Sequence, residues 1–219
     1  MTTVALDPMD LAALLCSRVC HDVISPVGAI VNGLEVLEDE NDPSMREIAL
    51  ELIKKSARSA SVRLQFCRLA FGAAGSAGAS IDTGDAESVA RAQLVNEKVS
   101  LEWSATRQLL PKNKVKLLLN LCLIAASTIP RGGVISVDVQ GEGDEAVLTV
   151  GSKGANAKLQ HGVADNLAGR PESGKVDAHT IQPYFTGLVA RECGLEVAVL
   201  VEPERISFTT ARAAEAAAA

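Results

Sequence analysis

The sequence predicts an α-helical hairpin followed by an α+β sandwich. Two Asp-Pro helix starts, Asp7-Pro8 and Asp42-Pro43, open long amphipathic segments separated by a short connection. A small-residue stretch, GAAGSAGAS at 72–80, then marks a boundary. Beyond it, helical patterns alternate with short strands bounded by Gly and Pro turns. The expected organisation is a hairpin over 1–73, a linker over 74–81, an α+β unit over 82–211 and an Ala-rich tail over 212–219.

The first helix starts where Asp7 caps it and Pro8 takes the first helical position, and it runs to about residue 40. At roughly 100° per residue, Leu15, Val19, Val23, Pro26, Ile30, Leu34 and Leu37 form one apolar stripe. His21 falls on the opposite face with Ser17, Arg18, Ser25, Gly28 and Asn32, and with Ile24 at its margin. Pro26 lies in mid-helix, where a proline costs about 3 kcal/mol and leaves an acceptor four residues earlier without its donor. That acceptor is the carbonyl of Asp22, next to the imidazole. The second helix runs from Pro43 to about residue 71, antiparallel to the first because the connection is short. A lone hairpin cannot cover both its apolar faces, so two copies are expected to pair as a four-helix bundle.

In the second unit, 85–95 reads as a helix and 99–104 as an alternating strand. A helix runs from Pro111 to about residue 129. Strands at 134–139 and 146–150 flank the turn signal Gly141-Glu142-Gly143-Asp144. Helices are expected at 156–167 and 181–193, and a last hairpin at 195–201 and 205–210 turns at Glu202-Pro203-Glu204. The order implies an antiparallel-rich sheet with helices on one face.

Composition narrows the function. Apolar residues make up 47% of the chain and aromatics only 3%, which favours helix-on-helix packing. A net charge of −6 without a Lys/Arg cluster argues against a nucleic-acid surface. The N-terminus has no basic region before an apolar one, and the longest apolar run, 115–129, is broken by Lys116, Asn120 and Ser127. No membrane association is therefore expected. The five cysteines (Cys16, Cys20, Cys67, Cys122 and Cys193) are scattered, complete no metal set, and read as reduced and mostly buried in a cytoplasmic protein.

The run His21-Asp22-Val23-Ile24-Ser25-Pro26-Val27 resembles the phosphoacceptor motif of sensor histidine kinases, His-Glu/Asp-x-x-Ser/Thr/Asn-Pro-Leu, with Val27 in place of Leu. The stretch LLLNLCLIAASTIPRGG, 117–133, resembles the asparagine-bearing helix of the kinases' ATP-binding domain. The fold so implied is a dimeric four-helix bundle followed by an ATPase-like (Bergerat-type) α+β domain. The nucleotide elements are degenerate. Ile124 stands where the resemblance places a magnesium-binding asparagine, and an isoleucine offers no oxygen to a hard cation. Ser152, within Gly151-Ser152-Lys153-Gly154, stands where an adenine-reading aspartate would fall. Of the glycine-rich phosphate loop only Thr186-Gly187-Leu188 remains, after the bulky Tyr184-Phe185.

Kept phosphoacceptor and lost nucleotide site together resemble the histidine phosphotransferases that are shaped like a kinase but use no ATP. That resemblance implies a phosphorelay. His21 takes a phosphoryl group from the receiver-domain aspartate of a hybrid histidine kinase and passes it to the receiver aspartates of response regulators. Asp22 would orient or deprotonate the imidazole. Arg18 either adds positive charge to the phosphoryl group or is a solvated helix arginine. Ser25 either bonds that group or back-bonds within the helix, the latter being favoured. Ser17, Ile24, Gly28 and Asn32 are expected receiver-docking positions. The chain is expected to carry no cofactor, the partner receiver supplying Mg²⁺. His161 and His179, without a carboxylate at a matching spacing, read as structural or surface residues. Rival readings are a non-catalytic inhibitor that docks on a receiver or kinase, and an active kinase with an unusual nucleotide site.

Overall fold

The computed structural model describes residues 3–72 and 78–213. Helices α1 (Pro8–Asp39) and α2 (Pro43–Ala70) form the hairpin, and both start where the Asp-Pro signals place them. Asp7 accepts from the Met9 N–H at 2.8 Å and Asp42 from the Ser44 N–H at 3.0 Å. Arg46 on α2 donates to the Glu40 carbonyl at 2.9 Å and closes the connection. The helices approach through small residues: Gly33 on α1 and Ala49, Ser56 and Ala60 on α2 are buried. A Cβ at Gly33 would lie 2.6 Å from Ile53 Cγ1, so the close approach depends on its absence.

The α+β unit contains β1 (Ser80–Asp82), α3 (Thr83–Leu94), β2 (Val99–Trp103), β3 (Leu109–Pro111), α4 (Lys112–Ser127) and β4 (Gly133–Gln140). These are followed by β5 (Val147–Lys153), α5 (Val163–Leu167), α6 (Ile181–Glu192), β6 (Leu195–Glu202) and β7 (Arg205–Arg212). Five strands form a mixed sheet in the order β2-β4-β5-β7-β6, in which β2 and β4 are parallel and the other pairs antiparallel. Alternate residues are buried under the helices: Ile135, Val137 and Val139 on β4, Leu148 and Val150 on β5, Ile206 and Phe208 on β7. Against them lies α4, whose Leu117, Leu118, Leu119, Leu121 and Cys122 are inaccessible to solvent. One apolar core runs on from this unit into the hairpin, because Phe66, Leu69 and Ala70 at the end of α2 belong to it.

The structure departs from the sequence reading at several points. The helix expected over 156–167 is reduced to the five residues of α5. Asn156 (φ 62°) and Gly162 (φ 76°) take left-handed conformations that interrupt it. Strands β1 and β3 were not foreseen; each is three residues long, too short to show alternation, and they pair with each other. Strand β1 begins at Ser80, inside the stretch read as linker, while residues 73–77 lie outside the described residues. The expected tail starts at Arg212, which still belongs to β7; residues 214–219 lie outside the description.

The cysteines also differ from expectation: Cys67 and Cys122 are buried, but Cys16 and Cys20 are exposed. Burial pushes the Cys122 thiol up to about 12, and a hydrogen bond with Cys16 raises that of Cys20. The exposed pair lies on a second apolar face of α1 with Met9, Ile24, Val27 and Val31. Leu34, placed with the stripe that faces α2, is exposed as well. Two apolar faces make α1 long and apolar enough, by length and composition, to cross a membrane, with a mean hydropathy of 1.4 over its most apolar window. The run at 115–129, read from the sequence as part of a helix that starts at Pro111, is largely the buried helix α4.

Gly187, inside α6, is buried because the Leu167 carbonyl of α5 occupies the place of a side chain. Gly187→Ala is expected to destabilise the fold by about 2 kcal/mol through overpacking, read as a lower urea midpoint.

Candidate functional site

His21 projects from α1 with 87% of its side chain exposed, on the face that the helical period assigns to it. Its Nδ1 lies 3.7 Å from Asp22 Oδ1, beyond hydrogen-bond length. The other carboxylate oxygen, Oδ2, accepts from Arg18 Nε at 3.0 Å. Arg18 therefore pairs with Asp22 one turn along the helix, a partner that neither sequence reading of Arg18 provided. Asp22 is correspondingly held by Arg18 before it reaches the imidazole.

Pro26 is buried and has no N–H to offer the Asp22 carbonyl. Arg63 Nη1, from α2, donates to that carbonyl at 2.6 Å. Sequence reasoning missed Arg63. The signal that could have found it is the unmet acceptor that Pro26 creates, which calls for a donor on whichever helix packs alongside.

The expected docking residues share one open surface. Ser17, Ile24, Ser25 and Asn32 are exposed, Ile24 to 70%, and the space above Gly28 is empty. The Ser25 hydroxyl bonds no group among the described residues, so the back-bonding expected for it is not made.

The positions that the kinase resemblance assigns to a nucleotide site are used for packing and internal hydrogen bonds. Ile124 is 2% exposed and part of the core. Asn120, the asparagine that remains, donates from Nδ2 to the Ala70 carbonyl at 2.7 Å and to the Lys116 carbonyl at 2.9 Å, which caps the end of α2. The Ser152 hydroxyl shares a 2.6 Å hydrogen bond with that of Thr128. Thr186 donates to the Gln182 carbonyl at 2.7 Å inside α6. Phe185 packs on Phe71 with ring centroids 5.8 Å apart, and the Tyr184 hydroxyl donates to the Val4 carbonyl at 2.9 Å. The two bulky residues in the place of a phosphate loop thus bind the unit to the hairpin end and to the N-terminal segment.

A cleft of about 460 Å³ opens between the two units, and all three histidines line it. Ser17, Arg18 and His21 form the hairpin side; Leu123, Ile124, His161, Asn166, His179 and Gln182 are among the residues opposite. His161 and His179 are surface residues, not structural ones. A carboxylate does reach His161: Glu172 Oε2 lies 3.4 Å from its Nε2, brought there by the fold from eleven residues on. Among the described residues, no group of three or more His, Cys, Asp or Glu side chains forms a metal-ligand set.

Known proteins share this arrangement. The family profile of the histidine phosphotransferase C-terminal domain matches residues 83–205. Protein phosphotransferase ChpT of Brucella abortus (strain 2308) is 49% identical over 206 residues, 94% of this chain and 97% of that protein. The chain belongs to the histidine phosphotransferase family.

The structure of a bacterial phosphotransferase solved at 1.7 Å superposes on this phosphotransferase with a TM-score of 0.86. The two are 46% identical over 96% of this chain and 100% of that one. Full-length ShkA, solved in complex with AMPPNP, shares the fold at a TM-score of 0.50 and 16% identity, covering 94% of this chain and 45% of that one. The chain is thus a phosphotransferase of the phosphorelay type, with an α+β unit of histidine-kinase-like fold.

Asn120→Leu is expected to cost about 1–3 kcal/mol, because it leaves the buried Ala70 carbonyl unpaired. The loss should appear in urea unfolding as a lower midpoint.

Proposed function

We propose that His21 is the phosphoacceptor of this phosphotransferase, relaying a phosphoryl group from one receiver aspartate to another. The observation that carries the reading is an imidazole 87% exposed whose Nδ1 lies 3.7 Å from Asp22 Oδ1. In the reactive tautomer Nδ1 holds the proton, oriented by Asp22 Oδ1, and Nε2 holds the lone pair. Nε2 attacks the phosphorus of a receiver aspartyl-phosphate. The N–P bond forms, the P–O bond to the aspartate breaks, and the carboxylate departs. A second receiver's carboxylate reverses the sequence, so neither step needs ATP. The receiver supplies Mg²⁺ and most of the charge on the phosphoryl oxygens, and this chain carries no cofactor.

Ser17, Ile24, Gly28 and Asn32 form the docking face around His21, and Ser25, its hydroxyl free, reaches toward the phosphoryl group. Arg18 acts through Asp22. The donor is the receiver of a hybrid histidine kinase and the acceptors are response-regulator receivers. A second copy covers Met9, Val27 and Val31 of the open apolar face of α1 and the exposed Ile48 and Leu52 of α2, giving a homodimeric four-helix bundle with Ile24 left at its margin. Across the cleft, the α+β unit adds a second surface against which a receiver at His21 can dock.

The test is a relay with a receiver labelled on its aspartate with radioactive phosphate. The label should appear on this chain as acid-labile, base-stable phosphate, move to a second receiver, and be absent from His21→Ala. Label retained by His21→Ala would overturn the assignment.

A further inference from the structure

We infer that Arg63 is a positioning residue for phosphoryl transfer, acting on His21 through the backbone of Asp22. The inference rests on His21 as phosphoacceptor and adds a residue from the other helix to its machinery.

Pro26 leaves the Asp22 carbonyl without its helical donor, in the very turn that carries the imidazole. Arg63 Nη1 fills the position at 2.6 Å, from a partly buried site on α2. A guanidinium donor makes this a charge-assisted hydrogen bond. Asp22 is then gripped at both ends by cations, its carboxylate by Arg18 on the same helix and its carbonyl by Arg63 on the other. One carboxylate oxygen, Oδ1, is left facing His21 Nδ1. With main chain and carboxylate both fixed, this oxygen is held 3.7 Å from Nδ1, where its charge favours a proton on Nδ1 and a small closing movement would make the hydrogen bond that leaves the Nε2 lone pair for phosphorus. Without Arg63, the turn before Pro26 has a dangling acceptor and residues 21 and 22 are free to reorient. Pro26 and Arg63 therefore work as a pair: the proline removes a local hydrogen bond and the arginine replaces it with one that ties the reactive turn to α2.

The pairing separates this role from that of a general helix staple, because Pro26→Ala restores an N–H to the Asp22 carbonyl from within α1. Single-turnover transfer from a saturating phosphorylated receiver to the full-length chain is measured alongside the ring ¹⁵N shifts of neutral His21, assigned with His21→Ala. Arg63→Met is expected to slow transfer about 10-fold or more and to move His21 away from the Nδ1–H tautomer. Arg63→Lys, which keeps a charged donor of shorter reach, should fall between. Pro26→Ala/Arg63→Met should recover the wild-type rate to within about 3-fold, together with the wild-type tautomer. Arg63→Met with unchanged rate and tautomer would overturn the inference. So would a double variant that folds but stays as slow as Arg63→Met. Should Arg63→Met not fold, Arg63→Lys and the double variant decide by the same two readouts. If the wild-type chain takes up no phosphoryl group, the phosphoacceptor reading fails, while the ring ¹⁵N shifts still report whether Arg63 orients His21.

Discussion

The site depends on how the last turn of α2 is anchored in the α+β unit. A helix end leaves carbonyls without partners. Here the Ala70 carbonyl is met by Asn120 at 2.7 Å, while Phe66 and Leu69 enter the same core as α4. Phe71 against Phe185 and Tyr184 against Val4 add contacts on either side. These interactions set where the hairpin stands, and so where His21 faces Ile124, His161 and His179 across one cleft.

The reactive turn follows a related logic on a smaller scale. Pro26 would weaken α1 in isolation, yet it is buried and the acceptor it exposes is used by Arg63. A local hydrogen bond has been exchanged for one between helices. Arg18 restrains the same aspartate through its carboxylate. The imidazole itself stays open while its neighbour is restrained from two directions, which suits the phosphoacceptor role proposed for it.

Much of this was legible in the residues. The Asp-Pro starts placed α1 and α2 because capping and the proline ring are local effects. Helical period placed His21 on the open face, and hydrophobic alternation located the five strands of the main sheet. The rest depended on contacts distant in sequence. Strands β1 and β3 exist because each provides the other's partner. The break ahead of α5 comes from two left-handed residues whose conformation no periodicity records. Cys16 and Cys20, read with the other cysteines as mostly buried, are exposed on the second apolar face of α1, because α2 covers only the first.

By itself the sequence determined the hairpin, the reach of His21 into solvent and the missing donor at Pro26. Each follows from residue identity and the fixed geometry of a helix. Tertiary structure alone decided that Arg63 meets the Asp22 carbonyl, that Asn120 caps α2, and that His161 and His179 face His21 across a cleft. The physical reason is reach. A hydrogen bond spans about 3 Å, and only packing determines which groups far apart in sequence come that close.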